Sequence, residues 1–397
     1  MNSSSIQVRR VRESTVGTLP GGSMTIVPFA TWSMKSAFQR GNPNNVNPNR
    51  QQPDAPAETL QVTGQGTADY LIGVYDKVRE EAFCSTYSTA QSVTSTLIAA
   101  VAATQKLTRA AGWSVFAVGD IVWVAGFVTN PAKFAAIVTA ISGNDLVLDV
   151  PGGALVDESA GPSVTVSHAG QLTLGTTLYS ASYEEWNTRS SKGEEFLGVG
   201  CSEWGFDLTF PKGITQSFAF RGMTKASRLS AQLANGSTNS ATRKIVNSNT
   251  NFGDKNTTGS GMGLRYGGTL MTDLRVASLK VKVANPLQDA GGAGVLGPQN
   301  LALDQDIQVM VDLTAYRTGT NIDTLIDDAR NPDTVKALGF GLVDADGNRD
   351  YIYLPQCRPA NGDGDGLKKQ GLEMVTFQFV AVYDGGTHGA IRHARLI

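Results

Sequence analysis

Histidine and cysteine are scarce: the 397-residue chain holds three of each. Cys84, Cys201 and Cys357 are odd in number and far apart, which excludes a disulfide framework and a CxxC-type metal site. They read as buried free thiols of a reducing compartment. Charge is also sparse, at 17% of residues, and it is balanced: 33 Lys+Arg stand against 35 Asp+Glu, a net charge of −2. That balance excludes a protein that grips nucleic acid along a basic face. Long apolar runs are missing. The longest, Leu97 to Ala103, falls far short of the roughly 20 residues a membrane-spanning helix needs. The opening MNSSSIQVRRVREST has no signal-peptide hydrophobic stretch. The expectation is a protein kept in the cytosol until it assembles, with no membrane partner.

Catalytic patterns are lacking too. There is no HExxH, GxSxG or Walker sequence. His388 and His393 lie near a Gly-rich terminus and read as surface residues. Gly259, Gly261 and Gly263 have neither a preceding strand nor a following helix and read as loop. Asp344, Asp346 and Asn348 begin like a calcium loop, but Pro355 stands where the closing Glu belongs, so a hairpin turn is expected. Glu184/Glu185 and Glu194/Glu195 are paired carboxylates read as loop residues, with no His or metal cluster beside them. The expectation is no enzyme and no cofactor.

What is present is β pattern, with 44 Gly and 41% hydrophobic residues, enough for real cores. Thr25 to Phe38 and Leu60 to Thr63 read as strands. Between them, Gln39 to Pro56 is rich in Asn, Pro, Arg and Gln, far longer than the usual hairpin loop of about two to five residues. It reads as an assembly arm, with plain disorder as the alternative. Two helices are expected. One is capped by Thr67, has Asp69 in its first turn and runs to about Phe83, with Leu71, Val74, Tyr75, Val78 and Ala82 on one face. The other follows Thr320, with Ile322, Leu325, Ile326 and Ala329 on its apolar face. Pro332 breaks it, and Val335 and Leu338 continue the face in a second short piece.

The halves look alike. Each has a strand, a helix, further strands, and a late strand with aromatics two apart: Phe218/Phe220 in ITQSFAFRGMTKA and Phe377/Phe379 in MVTFQFVAVYDGG. The reading is an internal duplication, with coincidence between two β-rich segments as the alternative. Phe116 to His168 adds four or five short strands with Gly and Asn-Asp turns, which suggests a small SH3- or OB-like barrel. The expected fold is mainly β with a minor α part. Residues 1–84 and 171–229 form a first unit, split by an inserted small β-barrel domain at 85–170. Residues 230–272, slightly basic with 4 cations to 1 anion, form a linker, and 273–397 a second unit. Each unit is expected to be β-rich with a single helix.

Several segments resemble the tail tube proteins (major tail proteins) of long-tailed bacteriophages, the siphoviruses. Arg12 to Pro20 (RESTVGTLP), followed by a strand, is similar to that family's opening. Ser182 to Met223 is the stronger match. It runs from an aromatic and acidic stretch to Gly200-Cys201, alternation from Trp204 to Phe210, Pro211 to Gly213, and then Phe218 to Met223. The second half fits only in the order of its elements. The resemblance implies two tandem tail-tube-type units, each an antiparallel β sandwich or barrel with one flanking helix, in a structural virion subunit. Such subunits form stacked rings, with sheets joined between neighbours into a hollow conduit for DNA ejection and a long loop reaching the adjacent ring. It implies copies of itself, the tape measure protein and DNA in the lumen, and tail terminator and tip proteins as partners, in a virion tail assembled in the host bacterial cytoplasm. Two units per chain lead to a homotrimeric, pseudo-sixfold ring, with a homohexamer as the alternative. The inter-ring arm would comprise Gln39, Arg40, Asn45, Arg50 and Gln52. Asp304, Asp306 and Asp312 alternate with Ile307, Val309 and Val311 and are the candidate lumen-facing residues. Facing outer solvent, or pairing with Lys280 and Lys282, is the alternative. The competing function is a virion-surface adhesin or receptor-binding β module. The β-rich, Gly/Asn-rich composition supports it, although no clustered aromatic face is evident.

Overall fold

The computed structural model describes residues 6–40, 57–131, 133–150, 155–233, 246, 262–291, 300–317, 319–331, 333–361, 373–383, 385 and 389–396. The chain opens with β1 (Ile6–Arg12), β2 (Thr25–Ile26), β3 (Thr31–Arg40), β4 (Ala57–Asp69) and α1 (Asp76–Ala82). Seven short strands follow: β5 (Gln91–Ser95), β6 (Ala99–Val101), β7 (Lys106–Thr108), β8 (Ile121–Ala125), β9 (Lys133–Ser142), β10 (Asp145–Asp149) and β11 (Val164–His168). Next come β12 (Gly170–Thr173), β13 (Ala181–Asn187), β14 (Lys192–Thr209), β15 (Ile214–Gly222) and β16 (Thr224–Leu229). The remainder holds β17 (Arg265–Tyr266), β18 (Thr269–Leu270), β19 (Arg275–Ala284), β20 (Leu287–Ala290), β21 (Asn300–Leu303), β22 (Gln308–Tyr316) and α2 (Asn321–Ala329). It ends with β23 (Lys336–Val343), β24 (Arg349–Asn361), β25 (Met374–Ala381) and β26 (Arg392–Leu396). The fold is mainly β, and every paired ladder among the described residues is antiparallel.

The two halves repeat each other pairing for pairing. β2–β1–β13–β14–β16 forms one sheet of the first unit, and β18–β17–β23–β24–β26 occupies the same places in the second. β3–β4–β15–β14 forms the other sheet of the first unit, matched by β19–β22–β25–β24. Even an irregularity recurs. β14 shifts register between Cys201, opposite Phe220, and Glu203. β24 shifts between Pro359, opposite Phe379, and Asn361. Phe218/Phe220 and Phe377/Phe379 therefore hold equivalent core positions, all 2% exposed or less. The long strands β14 and β24 each pass from one sheet to the other, and one apolar core runs through both units.

Several expectations need correction. Thr67 and Asp69 neither cap nor begin a helix: they end β4, and α1 starts only at Asp76. Gly64 and Gly66 keep the strand going. A Cβ at Gly64 would lie 2.0 Å from Met34 Sδ, and one at Gly66 would lie 2.8 Å from the Phe29 ring, so only glycine admits these neighbours. α2 forms with Ile322, Leu325 and Ile326 buried, and Asp273 Oδ2 accepts the Thr320 N–H at 2.8 Å near its N-terminus. Leu338 is not in a second helical piece. It lies in β23 opposite Leu354, because the Leu338–Phe340–Leu342 alternation fills the core. Pro332 lies outside the described residues.

The third correction concerns the inserted block. β5 to β11 form an open sheet in the order β5-β11-β8-β9-β10-β7-β6, not a closed barrel. All seven strands feed one core around Trp113, Phe116 and Phe134, so the sheet must curl, yet β5 and β6 do not pair. β12 departs from this sheet and pairs with β26 of the second unit. A second small core, with Ile121, Trp123 and Ile137 against Tyr351, Tyr353 and Leu396, seats the insertion on that unit. Within 230–272, β17 and β18 are sheet strands of the second unit and not linker.

Candidate assembly surface

The seam between the units is a β ladder. β14 pairs with β19 from Glu203 opposite Ala284 to Thr209 opposite Ser278. The result is one uninterrupted antiparallel sheet in the order β3–β4–β15–β14–β19–β22–β25–β24. Strand alternation sends Trp204, Phe206 and Leu208 of β14, Leu279, Val281 and Val283 of β19, and Val309, Val311 and Leu313 of β22 into the core. The opposite face is largely polar across both units, with Met310 and Val380 as exposed apolar positions on the second. One row along it reads Thr31, Thr67, Ser217, Gly205, Lys282 and Met310. Hydroxyls pair across strands, Thr31 with Thr67 at 2.6 Å and Thr314 with Thr376 at 3.0 Å.

Charges on this face are interleaved. Lys280 Nζ lies 3.3 Å from Asp207 and Lys282 Nζ 2.6 Å from Glu203, so both lysines bridge the seam. Asp312 stands on the face opposite Lys280. Asp304 and Asp306 do not. They are exposed, in the stretch between β21 and β22, and Asp304 N–H bonds the Pro286 carbonyl at 3.0 Å. The extrapolated strand fails there because β22 begins at Gln308. The face is polar and charge-balanced around the seam, not acidic.

Gln39 and Arg40 are the last residues of β3; Asn45, Arg50 and Gln52 lie outside the described residues. At the equivalent place in the second unit, between β19 and β22, a β20–β21 hairpin projects. Leu287 and Leu301 anchor it in the core surface, where a Cβ on Gly200 would meet Leu287 at 2.8 Å. Arg221 reaches Asp289 at 3.6 Å. Sequence reading missed this hairpin, whose signal is two leucines in a Gly- and Pro-rich stretch.

Behind the seam lies a buried polar lock that the sequence also hid. Arg79 of α1 is 0% exposed, and so are Asp350 of β24 and His393 of β26. Arg79 Nη1 is 3.4 Å from Asp76 and 3.7 Å from Asp350, and its Nη2 donates to Gln216 at 3.3 Å. The Tyr70 hydroxyl donates to Asp350 at 3.0 Å and lies 2.9 Å from His393 Nε2, and Tyr87 meets His393 Nδ1 at 2.9 Å. Arg395 contacts Asp76 and reaches Asp350 at 3.8 Å. Burial pushes the Asp350 carboxyl up despite Arg395 and Arg79. Burial, with Arg79 and Arg395 beside it, holds His393 well below its usual range and therefore neutral. His393 is thus a core residue and not a surface one; His388 lies outside the described residues. The paired glutamates are not in a loop either. Glu184 opposes Glu195 and Glu185 opposes Glu194 across β13–β14, and buried Glu184 accepts from Arg9 at 2.9 Å. The Asp344 carboxylate accepts from Asp346 and Asn348 N–H, closing the β23–β24 turn.

Cys84, Cys201 and Cys357 are buried and free. Among the described residues no group of three His, Cys, Asp or Glu could hold a metal ion, and no helix is long and apolar enough to cross a membrane. No protein-family model matches this sequence, and no curated protein matches it.

Proposed function

We propose that the chain is a structural subunit of a tail-tube type. Its repeated units line a conduit with the polar face of their shared sheet. The observation that carries the reading is that sheet itself: two repeated units joined edge to edge with one face largely polar, Met310 and Val380 apart. A globular monomer has no need to align two repeats in this way. A ring-forming subunit does, because closure removes the edges that each unit would otherwise expose. Three copies contribute about 24 strands. At about 4.8 Å between strands and a tilt of about 40°, they form a backbone cylinder of radius roughly 24 Å. Side chains on the inner face still leave a bore wider than a DNA duplex. A homohexamer of twelve units is the alternative ring.

The chemistry of the face suits passage. Attraction of phosphates by unpaired cations is what makes proteins hold DNA. Here Lys280 and Lys282 are matched by Asp207 and Glu203, and the rest is largely Thr, Ser and Gln. In this reading DNA and the tape measure protein occupy the lumen, terminator and tip proteins cap the ends, and the subunit resides in the virion tail after assembly in the host cytoplasm. It is not an enzyme. The adhesin reading has one observation in its favour: the inserted sheet exposes Val128 (80%), Leu97 (65%) and Val156 (49%). Negative-stain imaging of concentrated protein separates the two. Hollow tubes whose averaged rings hold three chains are expected. Discrete particles that bind host cells would overturn the tube reading.

A further inference from the structure

One sheet face differs sharply between the two repeats. In the first unit Glu184 stands opposite Glu195, and Trp186 opposite Gly193. In the second, Leu338 opposite Leu354 holds the place of Tyr183 opposite Phe196. Gly339/Tyr353 therefore replace Glu184/Glu195, and Gly341/Tyr351 replace Trp186/Gly193. In the latter pair large and small have changed strands. A Cβ on Gly193 would lie 2.7 Å from the Trp186 ring, and one on Gly339 would lie 2.9 Å from the Tyr351 hydroxyl. The arginine beside them is kept: Arg265 lies opposite Gly339 as Arg9 lies opposite Glu184. Arg9 is 1% exposed and Arg265 2%. Arg9 finds a carboxylate within its own unit, on Glu184. Arg265 cannot, because a glycine stands there. Its carboxylate is Asp149, at the end of β10 in the inserted sheet, the one acid within ion-pair reach among the described residues.

The altered face is the one that the inserted sheet covers. Tyr351 and Tyr353 pack with Trp123, Ala135 and Ile137, odd-numbered residues of β8 and β9. Even-numbered neighbours such as Val122 and Phe134 fill the inserted sheet's own core. Cations of the second unit meet an acid and an aromatic of the insertion: Arg392 lies 3.2 Å from Asp120, and Arg349 lies 4.3 Å over the Trp123 ring. The first unit offers no equivalent place, since Trp186 and the Arg9–Glu184 pair fill it. We infer that the inserted sheet is a separately docking module, that this face of the second unit is its dedicated site, and that Asp149 decides whether it seats. Seating is incompletely compensated. Arg265 Nε and Nη1 and the Tyr351 hydroxyl have no hydrogen-bond partner among the described residues. The Asp149 carboxylate therefore carries much of what makes burial of Arg265 tolerable. Without it the module swings out, still tied to the body by β12 and the segment after α1. Docking of this kind belongs to the single chain and needs no tube.

Breaking a fully buried ion pair shifts an equilibrium by about 100-fold or more; Asp149 keeps 42% of its side chain in solvent, so about tenfold is expected here. Asp149→Asn is read in the full chain through a thiol placed under the dock, Ala135→Cys, at a site that is 0% exposed. The native thiols are buried and stay silent. A maleimide pulse should label residue 135 about tenfold faster with Asp149→Asn than without it. Asp145→Asn is the control. It lies on the same strand, but its carboxylate pairs with Lys106 inside the inserted sheet at 2.7 Å, and labelling should change less than about twofold. Adding Arg265→Met to Asp149→Asn should restore protection, because no buried charge remains. Hydrogen exchange without the engineered thiol gives an independent measure. The Ile121 amide, which donates to Gln171 Oε1 of β12 at 3.0 Å, should exchange about tenfold faster in Asp149→Asn, while β7 amides keep their rates. Unchanged labelling and exchange in Asp149→Asn, an equal rise in Asp145→Asn, or a rise that Arg265→Met does not reverse each overturn the assignment.

Discussion

Arg79→Met probes what holds the two repeats at a fixed angle. Arg79 sits on a helix of the first unit, while Asp350 and His393 belong to strands of the second, and all three are 0% exposed. Removing one partner of a buried ion pair costs about 3–5 kcal/mol, chiefly because the other charge is left without compensation. Two features pull the figure to the lower end. Arg395 still reaches Asp350 at 3.8 Å, and burial already favours the protonated carboxyl. Against that, the guanidinium also loses Gln216 and its place 4.7 Å over the Tyr70 ring. About 3 kcal/mol is expected, a large share of the roughly 5–15 kcal/mol by which folded proteins are stable. Native-state hydrogen exchange reads it locally: amides of α1 and β26 should open about 100-fold more often, at about 1.4 kcal/mol per factor of ten. The double variant Arg79→Met/Asp350→Leu should recover most of the loss, since an apolar pair of similar volume leaves no buried charge. A single variant whose α1 exchange changes less than threefold would refute the lock.

Two further outcomes follow from the same packing. His393 is held below its ordinary pKa of about 6.5, so the unfolded chain takes up a proton that the fold refuses. Its contribution is whole above pH 6.5 and declines by about 1.4 kcal/mol per unit as pH falls below it. Glu81, raised to about 7 by burial, slopes the other way, losing stability as pH rises. The difference between wild type and His393→Gln, measured by urea unfolding at pH 7.5 and 5.5, isolates the histidine. The wild-type advantage should shrink on acidification, and a constant difference would contradict the assignment. Phe134→Ala, in the separate core of the inserted sheet, should cost about 3–5 kcal/mol there while α1 exchange stays unchanged, as read by residue-resolved hydrogen exchange. Equal loosening of α1 would mean the two cores unfold as one.

Much of this molecule is written locally. Period-two alternation marks β15, β19, β22 and β25, because a strand with one buried face must bury every second side chain. Three-and-four spacing gives α2 with Ile322, Leu325 and Ile326 inward. The paired aromatics Phe218/Phe220 and Phe377/Phe379 mark equivalent strands. The start of α1 was not legible, since Gly64 and Gly66 erase the apolar half of the alternation that carries β4 through to Asp69. Glycine at those points answers to Met34 and Phe29, residues distant in sequence. The extrapolation from Asp312 back to Asp304 failed for a related reason: alternation says nothing about where pairing stops. His393 read as a surface residue because its Gly-rich neighbourhood gives no sign of its partners Tyr70 and Arg79, which lie more than 300 residues away in sequence. Sequence alone thus decided the mainly β class and which side chains the regularly alternating strands, such as β15 and β22, bury. Tertiary structure decided that the two repeats share one sheet, because a seam such as β14 against β19 is made of backbone hydrogen bonds, which any residue but proline can form and no side-chain pattern announces.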